Sequence, residues 1–169
     1  MLLIALAVLD LIVLAPWALE ATDVDGEPPP SFYFAYGSNL DTKQMKLRCP
    51  TADLHGLARL MGYKFVINER GVASVVESSE HAVEGLLWKI FPHDERLLDW
   101  YEGVAGGYYI KERLDVEDLT RGEMVEALVY IATDKDLGGA RPGYLEKIIQ
   151  AARQHGFTEK YLQELQSWK

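Results

Sequence analysis

The chain has 169 residues and a formal net charge of −9 at pH 7, which fits one domain with a tail and argues against a nucleic-acid surface, since that needs a basic face. Its one cysteine, Cys49, excludes an intrachain disulfide and a cysteine-rich zinc site. With 49% apolar residues it can bury an ordinary globular core.

Met1 to Leu19 is almost wholly apolar, broken by Asp10 and Pro16. It is near the length of a membrane span, but Asp10 at the centre would cost about 2.5–3.5 kcal/mol on insertion. No Lys or Arg precedes the apolar run, as one would in a secretory signal. Residues 1–21 therefore read as an atypical signal or anchor, a buried or partner-binding helix, or a start codon assigned too far upstream. Residues 22–30, Thr-Asp-Val-Asp-Gly-Glu-Pro-Pro-Pro, read as a linker, because proline and acidic residues build no core. The folded domain is expected over 31–169. Membrane contact is expected only through residues 1–19. The domain itself favours a cytoplasmic location, with secretion or anchoring left open by residues 1–21.

Phe32-Tyr33-Phe34-Ala35-Tyr36 suits a strand packed on at least one face. It stops at the small-residue turn Gly37-Ser38-Asn39 and enters a short helix over 41–48, ended by Cys49-Pro50. Such a corner presents free backbone N–H groups that can grip an anion or a developing oxyanion. On mechanics alone a plain structural turn is the simpler reading. Strands follow over 57–69, with a bend at Gly62, and over 71–77. Ser78-Ser79-Glu80-His81 reads as a turn, and 83–90 as another strand with Gly85 as a bulge or close approach. His93–Glu102 reads as a helix: Asp94 and Glu95 suit its start, Leu97, Leu98 and Tyr101 form the apolar stripe, and Gly103 stops it. Residues 108–116 and 123–133 read as a hairpin turned by Thr120-Arg121-Gly122. Pro142 opens a further helix with Leu145, Ile148, Ile149 and Ala152 on its buried face. A last helix starts near Thr158. About six strands and four or so short helices make an α+β domain, most simply a small, mixed, curled sheet or barrel.

Chemistry concentrates at Glu102. A carboxylate at a helix C-terminus meets partial negative charge, and burial among Trp100, Tyr101 and Tyr109 would disfavour its ionised form further. Both effects raise its pKa toward the range a base-then-acid needs. A solvated helix-end glutamate is the simpler alternative. The four histidines show no ligand spacing, Ser38 lies in no Gly-x-Ser-x-Gly elbow, and no glycine-rich phosphate loop is present.

Taken together, Tyr36-Gly37-Ser38-Asn39-Leu40 and the downstream Glu102-Gly103-Val104 resemble the γ-glutamylcyclotransferase family. Phe32-Tyr33-Phe34-Ala35 is similar to its first strand, Leu47-Arg48-Cys49-Pro50 to its Leu-Arg-x-Pro, and Gly85-Leu86-Leu87-Trp88 to its Gly-x-x-Trp strand. Gly107-Tyr108-Tyr109 matches its Gly-x-Tyr, Tyr130 falls at its hairpin tyrosine, and Pro142-Gly143-Tyr144 resembles its last helix. The resemblance implies that the α-nitrogen of a γ-glutamyl amide attacks its own γ-carbonyl, closing 5-oxoproline and releasing the amine. It implies Glu102 as the proton carrier and Tyr36, Gly37, Ser38, Asn39, Leu40, Tyr109, Tyr130 and Tyr144 as substrate-binding residues. It implies no cofactor or metal, a small-molecule γ-glutamyl substrate, no nucleic acid, and a monomer or homodimer. Two alternatives stay open: removal of a γ-glutamyl protecting group from a natural-product intermediate, and a non-catalytic binding or interaction module that keeps the fold.

Overall fold

A computed structural model describes residues 28–168, so the apolar segment 1–21 and most of the linker 22–30 lie outside the described residues. Five strands form a closed barrel in the order β1-β3-β2-β4-β5. They are β1 (Ser31–Ala35), β2 (Asp53–Ile67), β3 (Ala73–Ile90), β4 (Tyr109–Asp118) and β5 (Glu123–Ala132). All neighbours are antiparallel except β1 and β5, which close the barrel in parallel through Phe32↔Ala127 and Tyr33↔Leu128. Hydrogen-bonded on both sides, β1 is an interior strand, and Tyr33, Phe34 and Ala35 are all buried.

Among the described residues the expected sixth strand does not form, because 71–77 and 83–90 contribute to one strand, Ala73–Ile90. Met61 pairs with Ala82 and Tyr63 with Glu77, so Ser78-Ser79-Glu80-His81 stands opposite Gly62 alone. These four residues bulge out, tied by Ser78 Oγ and His81 Nδ1 at 2.7 Å, and the chain does not reverse. Gly62 supplies the bend from the β2 side with φ +77°. Gly85 is a close approach, not a bulge: a Cβ there would lie 2.5 Å from the Phe34 ring and 2.6 Å from the Ala35 carbonyl.

Among the described residues four α-helices accompany the barrel: α1 (Thr42–Arg48), α2 (Pro92–Glu102), α3 (Tyr144–Gln154) and α4 (Glu159–Gln166). Asp41 caps α1 by accepting from the N–H groups of Lys43 and Gln44. In α2, the Asp94 carboxylate accepts from Phe91 N–H at 3.0 Å, and Gly103 ends the helix in the left-handed region at φ +67°. Only Leu98 of its expected stripe is buried; Leu97 and Tyr101 face solvent. The helix after β5 begins at Tyr144, behind Gly143, and not at Pro142. Its expected apolar face is buried. Cys49 is fully buried in the core, its thiol pushed up to about 12 by burial and by Asp94, so it is no nucleophile.

Candidate active site

The site lies at the end of the barrel where β1 and β5 finish and β4 begins. After β1 the chain makes a 3₁₀ turn, Ser38–Leu40, closed by Leu40 N–H on the Gly37 carbonyl at 3.0 Å. The N–H groups of Gly37, Ser38 and Asn39 find no acceptor among the described residues. Gly37 sits close to its surroundings: a Cβ there would be 3.4 Å from the Tyr144 hydroxyl and 3.3 Å from Ala73 Cβ.

Asn39, 2% exposed, acts through its side chain as well. Its Nδ2 donates to the Tyr33 hydroxyl at 2.9 Å and to Glu102 Oε1 at 3.5 Å. Its Oδ1 accepts from Arg48 at 2.8 Å and from Gln44 at 3.4 Å. One amide thereby joins β1, α1 and the end of α2. Arg48 also donates to Ser38 Oγ at 3.4 Å, stacks 4.8 Å over the Tyr101 ring, and stands 4.0 Å from Glu102 Oε1.

Glu102 is the last residue of α2, and its side chain is 17% exposed. Burial raises its pKa, and the Arg48 guanidinium pulls the other way without cancelling the rise. The expected enclosure by Trp100 and Tyr101 does not occur, since these are 75% and 43% exposed. Glu102 instead lines a pit of about 30 Å³ with Tyr33, Tyr36, Asn39, Tyr109 and Tyr144 among its neighbours. A space of this size holds one or two heavy atoms. It shares Ser38, Glu102, Tyr109 and Tyr144 with an outer cleft of about 640 Å³.

The tyrosines differ in what they offer. Tyr144 accepts from Ala73 N–H at 3.2 Å, which leaves its own proton to donate, and burial pushes it up to about 12. Tyr109 donates to the Ala73 carbonyl at 2.8 Å, Tyr36 to the Tyr130 carbonyl at 2.5 Å, and Tyr130 to Asp99 Oδ1 at 2.7 Å. Burial holds all of them neutral, well above the ordinary tyrosine value. The hydroxyls of Tyr36 and Tyr130 are thus committed to the protein, and these residues present rings to the pit. Leu40 is the one expected site residue that lies elsewhere: it is fully buried in the core, and its carbonyl faces His155 Nε2 at 3.1 Å. Tyr33, Gln44 and Arg48 are at the site without having been singled out for it. Tyr33 and Arg48 lie in the stretches that resemble the family's first strand and its Leu-Arg-x-Pro, while Gln44 had no signal beyond its position on the helix after the loop. Among the described residues no group of three or more His, Cys, Asp or Glu is placed to hold a metal ion.

A glutamate with a raised pKa, beside free N–H groups in a narrow pit, can move a proton while the loop holds an oxygen. Comparison with known proteins identifies the relatives of this chain. The AIG2-like family model matches residues 82–165. Human γ-glutamylcyclotransferase is 31% identical over 157 residues, covering 86% of this chain and 82% of the human protein. The bovine γ-glutamylcyclotransferase is 32% identical over 154 residues, covering 85% and 80%. A solved structure of a γ-glutamyl cyclotransferase superposes with a TM-score of 0.77 at 28% identity, covering 83% of this chain and 88% of that one. The chain belongs to the γ-glutamylcyclotransferase family, and it is an enzyme of that class. No helix among the described residues is long and apolar enough to cross a membrane.

Proposed function

We propose that this enzyme converts a γ-glutamyl amino acid or amine to 5-oxoproline and the free amine. The α-nitrogen of the glutamyl group attacks its own γ-carbonyl carbon, the new C–N bond closes a five-membered lactam, and the original amide C–N bond breaks. Of the three protons on the α-ammonium, one stays on the lactam nitrogen and two leave with the departing nitrogen as an ammonium. No water, cofactor or covalent enzyme intermediate enters the balance. The nucleophile is tethered to its target, so much of the entropic barrier is already met.

Glu102 takes a proton from the α-nitrogen and passes it to the leaving nitrogen, once for each of the two protons that move, and a pKa raised by burial helps it hold the proton between the two transfers. The N–H groups of Gly37, Ser38 and Asn39 hold an oxygen in the pit, either the tetrahedral oxyanion or a carboxylate oxygen. Tyr144 donates its free hydroxyl proton to the glutamyl group, while Tyr36, Tyr109 and Tyr130 wall it in. The observation that carries this reading is the Glu102 carboxyl within the same pit as the acceptor-free N–H groups of the loop. The test is incubation of the 169-residue protein with γ-glutamyl-alanine in ¹⁸O-water. The expected result is 5-oxoproline and alanine in equal amounts, with no label in the lactam. Labelled glutamate as the first product would mean hydrolysis and would sink the proposal.

A further inference from the structure

The outer cleft carries groups that lactam formation does not use. One set comes from the end of α2 and the turn after it: Trp100 and Tyr108 line the cleft and are 75% and 55% exposed. Large aromatics left this open at the mouth of a cleft are surfaces a ligand can cover. They are held in place: Trp100 packs edge-on to Tyr101 with centroids 4.9 Å apart, and Tyr108 lies 5.0 Å under the Arg70 guanidinium. The second set precedes and opens α3: Arg141 and Lys147. Arg48 and Arg70, the other cations of the cleft, are engaged by Asn39 and by Asp134 at 2.8 and 2.6 Å. Arg141 spends only its Nε, on the Arg70 carbonyl at 2.7 Å. Neither Arg141 nor Lys147 has a carboxylate within ion-pair distance among the described residues. Two unpaired cations in one cleft are notable on a chain of net charge −9, and they attract an anion.

We infer that the cleft selects a leaving group that is an amino acid with a bulky apolar or aromatic side chain. Its carboxylate rests on Arg141 and Lys147, and its side chain lies against Trp100 and Tyr108. The inference rests on the proposed lactam-forming reaction and narrows its substrates to γ-glutamyl conjugates of large apolar amino acids, over small amino acids and over amines. These contacts are made equally before and during reaction, so they act on KM and leave kcat nearly constant.

Three probes separate the contributions: γ-glutamyl-phenylalanine, γ-glutamyl-alanine, and the γ-glutamyl amide of phenethylamine, which keeps the ring and lacks the carboxylate. With the 169-residue protein, kcat/KM for the phenylalanine compound is expected to exceed each of the others about tenfold or more. Trp100→Ala collapses the phenylalanine-to-alanine ratio toward one. The double variant Arg141→Gln/Lys147→Gln collapses the phenylalanine-to-phenethylamine ratio. Each ratio is taken on one protein sample, so a change in folded fraction cancels. Equal kcat/KM for the three probes, or ratios that the variants leave unmoved, overturns the inference while lactam formation stands. Absence of 5-oxoproline from all three overturns both.

Discussion

Glu102 is pulled in two directions, by burial that favours its neutral form and by Arg48 that favours its charge. Because its folded-state pKa lies above the ordinary glutamate value, the folded protein binds this proton more tightly than the unfolded chain does. The stabilising contribution is fully present below the ordinary glutamate range and is lost as pH rises through the raised value. Glu102→Gln removes the ionisation, so it is expected to melt above wild type at neutral pH, with the gap closing in acid. A gap of the same size at all pH values would contradict the assignment. The acidic limb of wild-type activity belongs above the ordinary glutamate value for the same reason. Arg48→Met is expected to move that limb to still higher pH. A limb at the ordinary value, unmoved in Arg48→Met, would show that a different group carries the proton. The position of Glu102 at a helix end before a glycine fits a solvated carboxylate equally simply, so the sequence singled it out only through the resemblance of Glu102-Gly103-Val104 to the family motif; its burial is a tertiary property. The role of Asn39 was legible only as far as its backbone. Its side-chain partners Tyr33 and Glu102 lie 6 and 63 residues away, and local pattern says nothing about which side chains meet.

At the level of elements, β1 and β3 define how closely the loop can be held. Gly85 faces Phe34 and the Ala35 carbonyl, two residues before the loop begins, with no room for a Cβ. Gly85→Val is expected to cost about 1–3 kcal/mol through overpacking, read as a lower urea midpoint at unchanged slope. An unchanged midpoint would show that β1 yields freely. The sequence indicated a special glycine here, since Gly85 stands inside a strand pattern, where a glycine marks a bulge or a close approach. The structure decides between bulge and contact. Ser78-Ser79-Glu80-His81 shows the opposite limit. A polar four-residue stretch has the same composition whether the chain reverses or only bulges, and the register with β2 across Gly62 is what separates the two. The stripe of α2 was over-read for a related reason: Tyr101 has helical spacing with Leu98 but is used on the surface, under Arg48.

At the scale of the whole molecule, the barrel brings together a loop, a helix end and a tyrosine wall that are distant in sequence. Tyr36 reaches the Tyr130 carbonyl across 94 residues, and the parallel closure of β1 on β5 makes that contact feasible. Strand number was overestimated by one and the α+β class was legible. The closed order β1-β3-β2-β4-β5 was not, because pairing between distant strands leaves no periodic trace in either of them. The opposite end of the barrel is secured independently by Asp118, fully buried and 2.6 Å from His55. Burial alone would raise the Asp118 pKa, but the bonds from His55 and from the N–H groups of Thr120 and Arg121 outweigh it and lower the value. The two ends are thus built separately, so a change of chemistry at Glu102 need not disturb the barrel. The most direct measurement is 5-oxoproline release from γ-glutamyl-alanine by the intact chain and by Glu102→Gln, with substrate binding followed in parallel by calorimetry. The account predicts that the variant binds substrate and loses turnover by about 10²–10⁴-fold or more. Turnover within a few-fold of wild type would contradict it.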